Sequence, residues 1–178
     1  MAAESLLAGF SPEDLVITLG FKGGGVHQVS GFADGTFVNI ARTVPSSTLY
    51  TGADNTGGRL IRKNRAANIT ITLSQFAESN DIFSALLDLD EQDSSPQGGG
   101  IFSIFIKDLN GRSLYHAEQA FISQHPDSMF GTEVTTREWI ISAIRLNQTL
   151  AGNALISPDT VVDLENLGVE VDTRWTTQ

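Results

Sequence analysis

The sequence predicts a mainly β fold with one α-helix and extended arms at both ends. Three observations predict it: apolar and polar residues alternate over several stretches of strand length, glycine-rich or Asn-Gly turns separate those stretches, and helical spacing of apolar residues occurs at about 80–90. The chain has 178 residues, of which 40% are hydrophobic, so it can bury a core without cross-links. We expect a β domain over residues 15–146, between an N-terminal arm (1–14) and a C-terminal arm (147–178).

Composition excludes several classes of protein. The formal net charge is −10, so the surface as a whole repels phosphate and a general nucleic-acid binder is not expected. A chain without cysteine has no disulfide, no thiolate nucleophile and no cysteine-ligated metal. The N-terminus lacks the cationic region of a signal peptide, and the apolar runs are far shorter than the roughly 20 residues that cross a bilayer, so we expect no membrane insertion.

The first strands are expected to form a three-stranded meander. Residues 15–21 and 26–32 flank a glycine-rich turn at 22–25, which is typical of a hairpin. Asp-Gly at 34–35 then leads into a third strand over 36–43.

Residues 44–66 are rich in Pro, Ser, Gly and Asn and predict an irregular loop, longer than most compact domains carry. Charge is uneven along the chain, with +1 over residues 1–75 and −11 over 76–178. We therefore expect the cations of this loop to meet acidic surface on an adjacent subunit, within residues 88–93 or 159–172. A solvated basic loop that only balances local charge is the alternative. We call these cations the stacking candidates, because they would join one subunit to the next: Arg59, Arg62, Lys63 and Arg65.

A strand predicted over residues 67–75 alternates strictly, so successive side chains point to opposite faces. Its apolar face, which we assign to the core, consists of Ile69, Ile71 and Leu73. Its polar face consists of Asn68, Thr70, Thr72 and Ser74. A sheet with these two faces separates a core from water.

A helix is expected over about residues 80–90, followed by an acidic loop over 91–100. Ser79, Asn80 and Asp81 offer capping side chains at its start. Its apolar residues recur at helical spacing and form a stripe suited to packing on a sheet; they are Ile82, Phe83, Leu86 and Leu87.

Three further strands complete the prediction. Residues 101–107 and 113–123 flank an Asn-Gly turn and should form a hairpin. A long strand follows over about 132–146, where the alternation slips between Glu138 and Ile140 and indicates a bulge or a change of buried face. The C-terminal arm is expected to be extended, with one short strand.

Residues capable of chemistry form no recognisable site in the sequence. The glycines at 22–25 lack the Lys-Ser/Thr and the following helix of a phosphate loop. The three histidines, His27, His116 and His125, show no metal-ligand spacing. An acidic run from Asp88 to Asp93 lacks the glycine and the terminal glutamate of a calcium loop. The sequence therefore predicts no catalytic, cofactor or metal site and no enzyme activity.

The order of elements over residues 32–146 resembles the tail tube proteins of contractile-tailed bacteriophages. The resemblance is carried by the Thr-alternating strand, the pattern Ser-x-x-x-x-Ser-Asn-Asp over 74–81 with its Leu-rich helix, and the late Glu-Trp strand at 138–139. It implies a β-barrel-like domain of two packed antiparallel sheets with a flanking helix. Related inner tubes occur in type VI secretion and pyocin-like particles.

The resemblance also implies a function. Hexameric rings of the protein would stack into the hollow inner tube of a phage tail, with no cofactor. Its partners would be further copies of itself, the tail sheath and baseplate or terminator proteins. Genomic DNA would pass through the lumen without specific binding. The protein would be part of the virion and would be assembled in the host cytoplasm.

Reasoning from the residues agrees with a conduit. The polar face over 68–74 is suited to an aqueous channel, so its four polar residues are candidates to face the lumen, and an acidic lumen would repel DNA phosphates. The inner tube of a type VI or pyocin-like machine is one alternative. A ligand- or carbohydrate-binding β module is another, although Trp139 and Trp175 do not obviously converge. An enzyme built from distant residues is a third.

Overall fold

The computed structural model describes residues 8–93, 95–96 and 98–176. Residues 1–7 of the predicted N-terminal arm, two positions of the acidic loop (94 and 97) and residues 177–178 lie outside the described residues. The division into two arms and one domain stays a prediction.

Ten strands and two α-helices make up the described fold. The strands are β1 (Leu15–Phe21), β2 (Val26–Gln28), β3 (Val38–Arg42), β4 (Ser47–Thr51), β5 (Gly57–Ile61), β6 (Ala67–Ser74), β7 (Phe102–Asp108), β8 (Leu114–Gln124), β9 (Thr136–Ala143) and β10 (Asn147–Thr149). The helices are α1 (Ser79–Gln92) and α2 (Pro158–Asn166). Single 3-10 turns lie at Pro12–Asp14 and Thr173–Trp175.

Eight of the strands form one antiparallel sheet in the order β2-β1-β7-β8-β9-β6-β3, with β10 pairing alongside β8. The other two strands, β4 and β5, form a separate hairpin sheet. The prediction of a mainly β fold with two antiparallel sheets and one main helix is confirmed. The sheets are unequal, and among the described residues the larger one stays open between its edge strands β2 and β3.

One apolar core joins alternate residues of five strands to helix α1. The side chains of β6 alternate as predicted, because Ile69, Ile71 and Leu73 are fully buried while Asn68 is exposed. Three residues of α1 close the core from the helix side: Phe83, Leu86 and Leu87.

Helix α1 begins one residue earlier than predicted, and its first residues do not cap it. Its N-cap position is Glu78, which makes no capping hydrogen bond with its side chain. Asn80 is buried, and its Nδ2 donates to the carbonyls of Ser74 and Ala77 at 2.9 and 3.0 Å. Its Oδ1 accepts a 2.9 Å hydrogen bond from Trp139 Nε1. These polar side chains therefore anchor the helix to the sheet.

The predicted three-stranded meander is wrong, because β3 pairs with β6 and not with β2. After β2 the chain leaves β1 and crosses to β6, where Phe32 forms a bridge with Leu73. Gly31 makes this crossing possible: it has φ +79°, and a Cβ there would collide with Ala77. The amide of Ser74 donates to the Gly31 carbonyl at 2.8 Å, which fastens the crossing.

Residues 44–66 are not the irregular loop that was predicted. They contain the β4–β5 hairpin, whose turn carries Asn55 at φ +63°. Thr56 donates to Asp54 in this turn through its hydroxyl at 2.6 Å, and this hydrogen bond lowers the pKa of Asp54. The glycines at 52, 57 and 58 are typical of a loop, so the composition of this segment does not indicate its two short strands. Neither strand contributes a residue to the core.

The bulge predicted in the late strand lies in its neighbour. Strand β9 is shorter than predicted, and its burial alternates without a slip. The register shifts on β8 between Ile122 and Gln124, opposite the consecutive residues Ile141 and Ile140. The extra residue is therefore Ser123 of β8.

The expectation of an extended C-terminal arm is corrected by helix α2, whereas the short strand expected there is present as β10. Ser157 is the N-cap of α2, and its side chain accepts from the amide of Thr160. Pro158 occupies the first turn, where a missing N–H is tolerated. The Ser-Pro pair at 157–158 is therefore the start of a helix.

Candidate functional site

The open face of the sheet carries the predicted polar residues on β6. Asn68 is exposed, and Thr70, Thr72 and Ser74 are partly buried. All four point away from the core, since the residues between them are buried.

This polar face continues onto two neighbouring strands. Asn68 lies opposite Ser142 of β9, and the Ser142 hydroxyl donates to Asn68 Oδ1 at 3.3 Å. Ser142 also shares a 2.7 Å hydrogen bond with Ser123 of β8. A polar ladder thus crosses β6, β9 and β8. The sequence alone does not indicate the two serines, because the bulge that positions Ser123 lies in β8 and not in the strand where the pattern predicts it.

The β4–β5 hairpin exposes apolar side chains on both of its faces. One face carries Leu49 and Ile61, which are 82% and 63% exposed. The other carries Tyr50 and Leu60, which are 67% and 49% exposed. Since every residue of β5 is exposed, the hairpin projects from the domain instead of packing on it.

Four cations gather at the base of the hairpin. Three of the predicted stacking residues, Arg62, Lys63 and Arg65, line a cleft of about 450 Å³ together with Arg42. Arg42 was not among the predicted residues. It is the last residue of β3, and it reaches the cleft because the Thr43 hydroxyl donates a hydrogen bond to the Ala66 carbonyl at the base of the hairpin.

The predicted stacking cations differ in their partners. Arg65 Nη1 donates to Asn147 Oδ1 at 2.7 Å, so it ties the hairpin base to β10. The side chains of Arg59, Arg62 and Lys63 make no hydrogen bond or ion pair to any residue that the structure describes. They are exposed and available to another molecule.

The acidic surfaces suggested as partners lie elsewhere on the chain. Asp88 and Glu91 are exposed near the end of α1, and Asp159 and Asp163 are exposed on α2. Asp172 is already paired, because hydrogen bonds from Arg174 lower the pKa of Asp172 to about 2. Within the described part of one chain, no ion pair joins the basic cleft to these acids.

The remaining residues of interest have different surroundings. His27 Nε2 lies 3.0 Å from the buried Ser79 hydroxyl, and residues 22–25 form the predicted hairpin turn. Trp139 is buried in the core, whereas Trp175 lies against the Arg112 guanidinium.

No described helix is both long and apolar enough to span a membrane.

Comparison with known proteins adds independent findings. Residues 7–151 match the family described as bacteriophage PhiTE tail tube protein. The chain is 35% identical over 167 residues to structural protein ORF10 of Pseudomonas phage KPP10, a match that covers 93% of this chain and 95% of that protein.

One solved structure has a similar fold at low sequence identity. The cryo-EM structure of the anti-feeding prophage cap gives a TM-score of 0.53 at 16% identity, covering 85% of this chain and 100% of the other. A chain of the PVC sheath-tube complex, from an extracellular contractile injection system, gives a TM-score of 0.47 at 14% identity, with coverage of 80% and 93%. The likeness to the cap concerns the fold alone.

Proposed function

Because the chain belongs to the bacteriophage PhiTE tail tube protein family, we propose that its copies form hexameric rings that stack head to tail as the hollow inner tube of a contractile tail. The protein is a structural component of a phage tail and hence of the virion. Phage DNA passes through the lumen without specific binding. The tail sheath surrounds the tube, baseplate and terminator proteins bind its ends, and assembly takes place in the host cytoplasm.

The observation that carries this proposal is the projecting β4–β5 hairpin. Its apolar side chains are exposed on both faces and are not covered by the chain's own core. Exposed apolar groups that lie together mark contacts with other proteins. When a projection on one copy seats on a different surface of the next copy, the contact repeats and builds a ring or a stack. Family membership favours this structural role over catalysis.

The basic cleft at the hairpin base supports the same arrangement. Arg62 and Lys63 are exposed cations in a chain of net charge −10, so a neighbouring copy offers mostly acidic surface. Each exposed ion pair contributes only about 0–1 kcal/mol, but repetition around a ring multiplies the effect. These pairs set the register of stacking more than its strength.

We expect the purified, concentrated protein to form rings or tubes in negative-stain electron microscopy. Replacing Arg62→Glu together with Lys63→Glu should leave the subunit folded, because both side chains are exposed. Tubes of the double variant should be fewer and shorter, and wild-type tubes should dissociate as salt is raised.

A charge-conserving variant, Arg62→Lys with Lys63→Arg, is the matched control. It should assemble like the wild type. Tubes of the Glu variant with normal length and normal salt resistance would remove the cleft from the stacking mechanism. A wild-type protein that stays monomeric at every concentration would contradict the tube assignment itself.

We place the polar ladder on β6 at the lumen. The four polar residues of β6 and the residues directly opposite them on β9 include no basic side chain; the nearby Arg137 lies opposite Leu73, whose side chain points to the core. Glu138 lies opposite Thr72 and adds negative charge. A polar wall without cations solvates the channel and does not hold phosphate groups, so DNA slides past it.

Labelling of a single cysteine tests the position of this face. The protein has no cysteine, so Asn68→Cys provides one reactive site on an exposed side chain. In assembled tubes, a small maleimide should react while a polymer-linked maleimide too large for the lumen should not. Thr48→Cys on the hairpin is the comparison, since an interface should block both reagents. Full reaction of Asn68→Cys tubes with the large reagent would place this face outside.

A further inference from the structure

Three potential metal ligands meet at the end of helix α1. Asp88 and Glu91 stand one turn apart on the helix, and His125 follows the last residue of β8. One ligand atom from each side chain lies within 4.8 Å of the other two, and all three side chains are exposed. An ion bound at about 2.0–2.2 Å from each ligand in tetrahedral geometry needs ligand atoms about 3.5 Å apart, so side-chain rotations must bring the three atoms closer together.

Both segments that supply these ligands lie against the core. Leu87 of α1 is buried in the core beside Asp88, which fixes the backbone of this turn. The His125 ring lies 6.3 Å from the Trp139 ring, which is itself held by its hydrogen bond to Asn80. Ligands whose backbone is positioned by core contacts lose less freedom when they bind an ion than ligands on free loops.

The polar atoms of the three side chains are also without a partner in the described structure. None of them makes a hydrogen bond or ion pair with a residue that the structure describes. The last turn of α1 contains no basic residue, and Asp88, Asp90 and Glu91 lie together at the negative end of the helix dipole. A cation there relieves this repulsion, and the imidazole determines which kind of cation it is.

We propose that Asp88, Glu91 and His125 bind one divalent transition-metal ion of the zinc class, with water completing the coordination. Imidazole nitrogen with carboxylate oxygens suits Zn²⁺, Co²⁺ or Ni²⁺, whereas Ca²⁺ and Mg²⁺ take oxygen ligands. The ion joins α1 to the end of β8, and so stabilises the helix against the sheet. This site is a property of the single subunit and does not rest on the proposed tube.

Titration calorimetry with Zn²⁺ on the full chain, freed of any histidine tag and kept below the concentration of assembly, tests the site. We expect saturable binding of one ion per chain and an increase in the thermal unfolding temperature. His125→Asn and Asp88→Asn should each weaken the affinity at least about tenfold and abolish the thermal shift. Ca²⁺ and Mg²⁺ should give no comparable shift.

Two matched variants control for loss of a histidine and of a charge. His116→Asn removes an imidazole on β8 that lies against Phe105 of β7, and Glu165→Gln removes an exposed carboxylate on α2. Both should keep the wild-type affinity. The proposal is overturned if Zn²⁺ does not bind at one ion per chain, or if His125→Asn binds it as tightly as His116→Asn does. Circular dichroism confirms that each variant is folded.

Discussion

Subunits that carry Leu49→Ser together with Ile61→Ser are expected to fold normally and to form no tubes. In the subunit these side chains are 82% and 63% exposed, so their replacement removes little buried surface and changes the free energy of unfolding by no more than about 0.5 kcal/mol. In an assembly they provide the apolar area of one hairpin face, and buried apolar area is the main driving force of association. The loss recurs at every contact of the tube, so assembly should fail completely. Electron microscopy and sedimentation measure it.

A conservative pair at the same positions separates apolar contact from position alone. Leu49→Met with Ile61→Val keeps both side chains apolar and keeps a β-branched residue in β5, so tubes should form. If the serine pair assembles as well as this pair, the hairpin face is not an interface. If the serine pair unfolds at a lower denaturant concentration than the wild-type subunit, the hairpin contributes to the fold of the subunit and the test moves to Tyr50 on the opposite face.

Replacing Trp139→Ala is expected to lower the free energy of unfolding by about 3–5 kcal/mol. The indole is 2% exposed, and its ring centroid lies 5.4 Å from that of Phe83 on α1. Its Nε1 donates to Asn80 Oδ1, so truncation opens a cavity and leaves a buried amide oxygen without its donor. Urea unfolding of the unassembled subunit measures the change.

Two further variants divide this effect into its parts. Trp139→Phe keeps an aromatic ring in the core but removes the N–H, and should cost about 1–3 kcal/mol through the unsatisfied Asn80 oxygen. Trp175→Ala should cost less than Trp139→Ala, because Trp175 is only partly buried against Arg112. Equal losses for the two alanine variants would show that the Asn80–Trp139 anchor does not organise the core.

Much of the fold follows from local pattern. The period-two alternation of β6 predicts that Ile69 and Ile71 are buried, and the structure agrees. The Asn-Gly turn predicts the β7–β8 hairpin, and the apolar spacing predicts α1. The sequence does not predict the β4–β5 hairpin or helix α2, because neither contributes enough buried side chains to show a clear apolar period.

The sequence likewise predicts only part of the candidate site. Periodicity shows that Asn68 shares a face with Thr70, since that depends only on residues two positions apart. It does not show that Ser123 of β8 completes the ladder, because a bulge decides where that side chain points. Of the basic cleft, the sequence shows the cluster at 59–65 but not Arg42, which β3 brings to it.

For β6 and α1, the apolar face was therefore determined by the order of residues alone, because burial repeats every two residues in a strand and every three to four in a helix. Tertiary structure decided which elements became neighbours. Gly31 turns the chain across to β6 and sends β3 to the far edge of the sheet. Folding also brings His125 to Asp88 and Glu91, more than thirty residues away. Such pairings depend on contacts between distant segments, for which a local period carries no information.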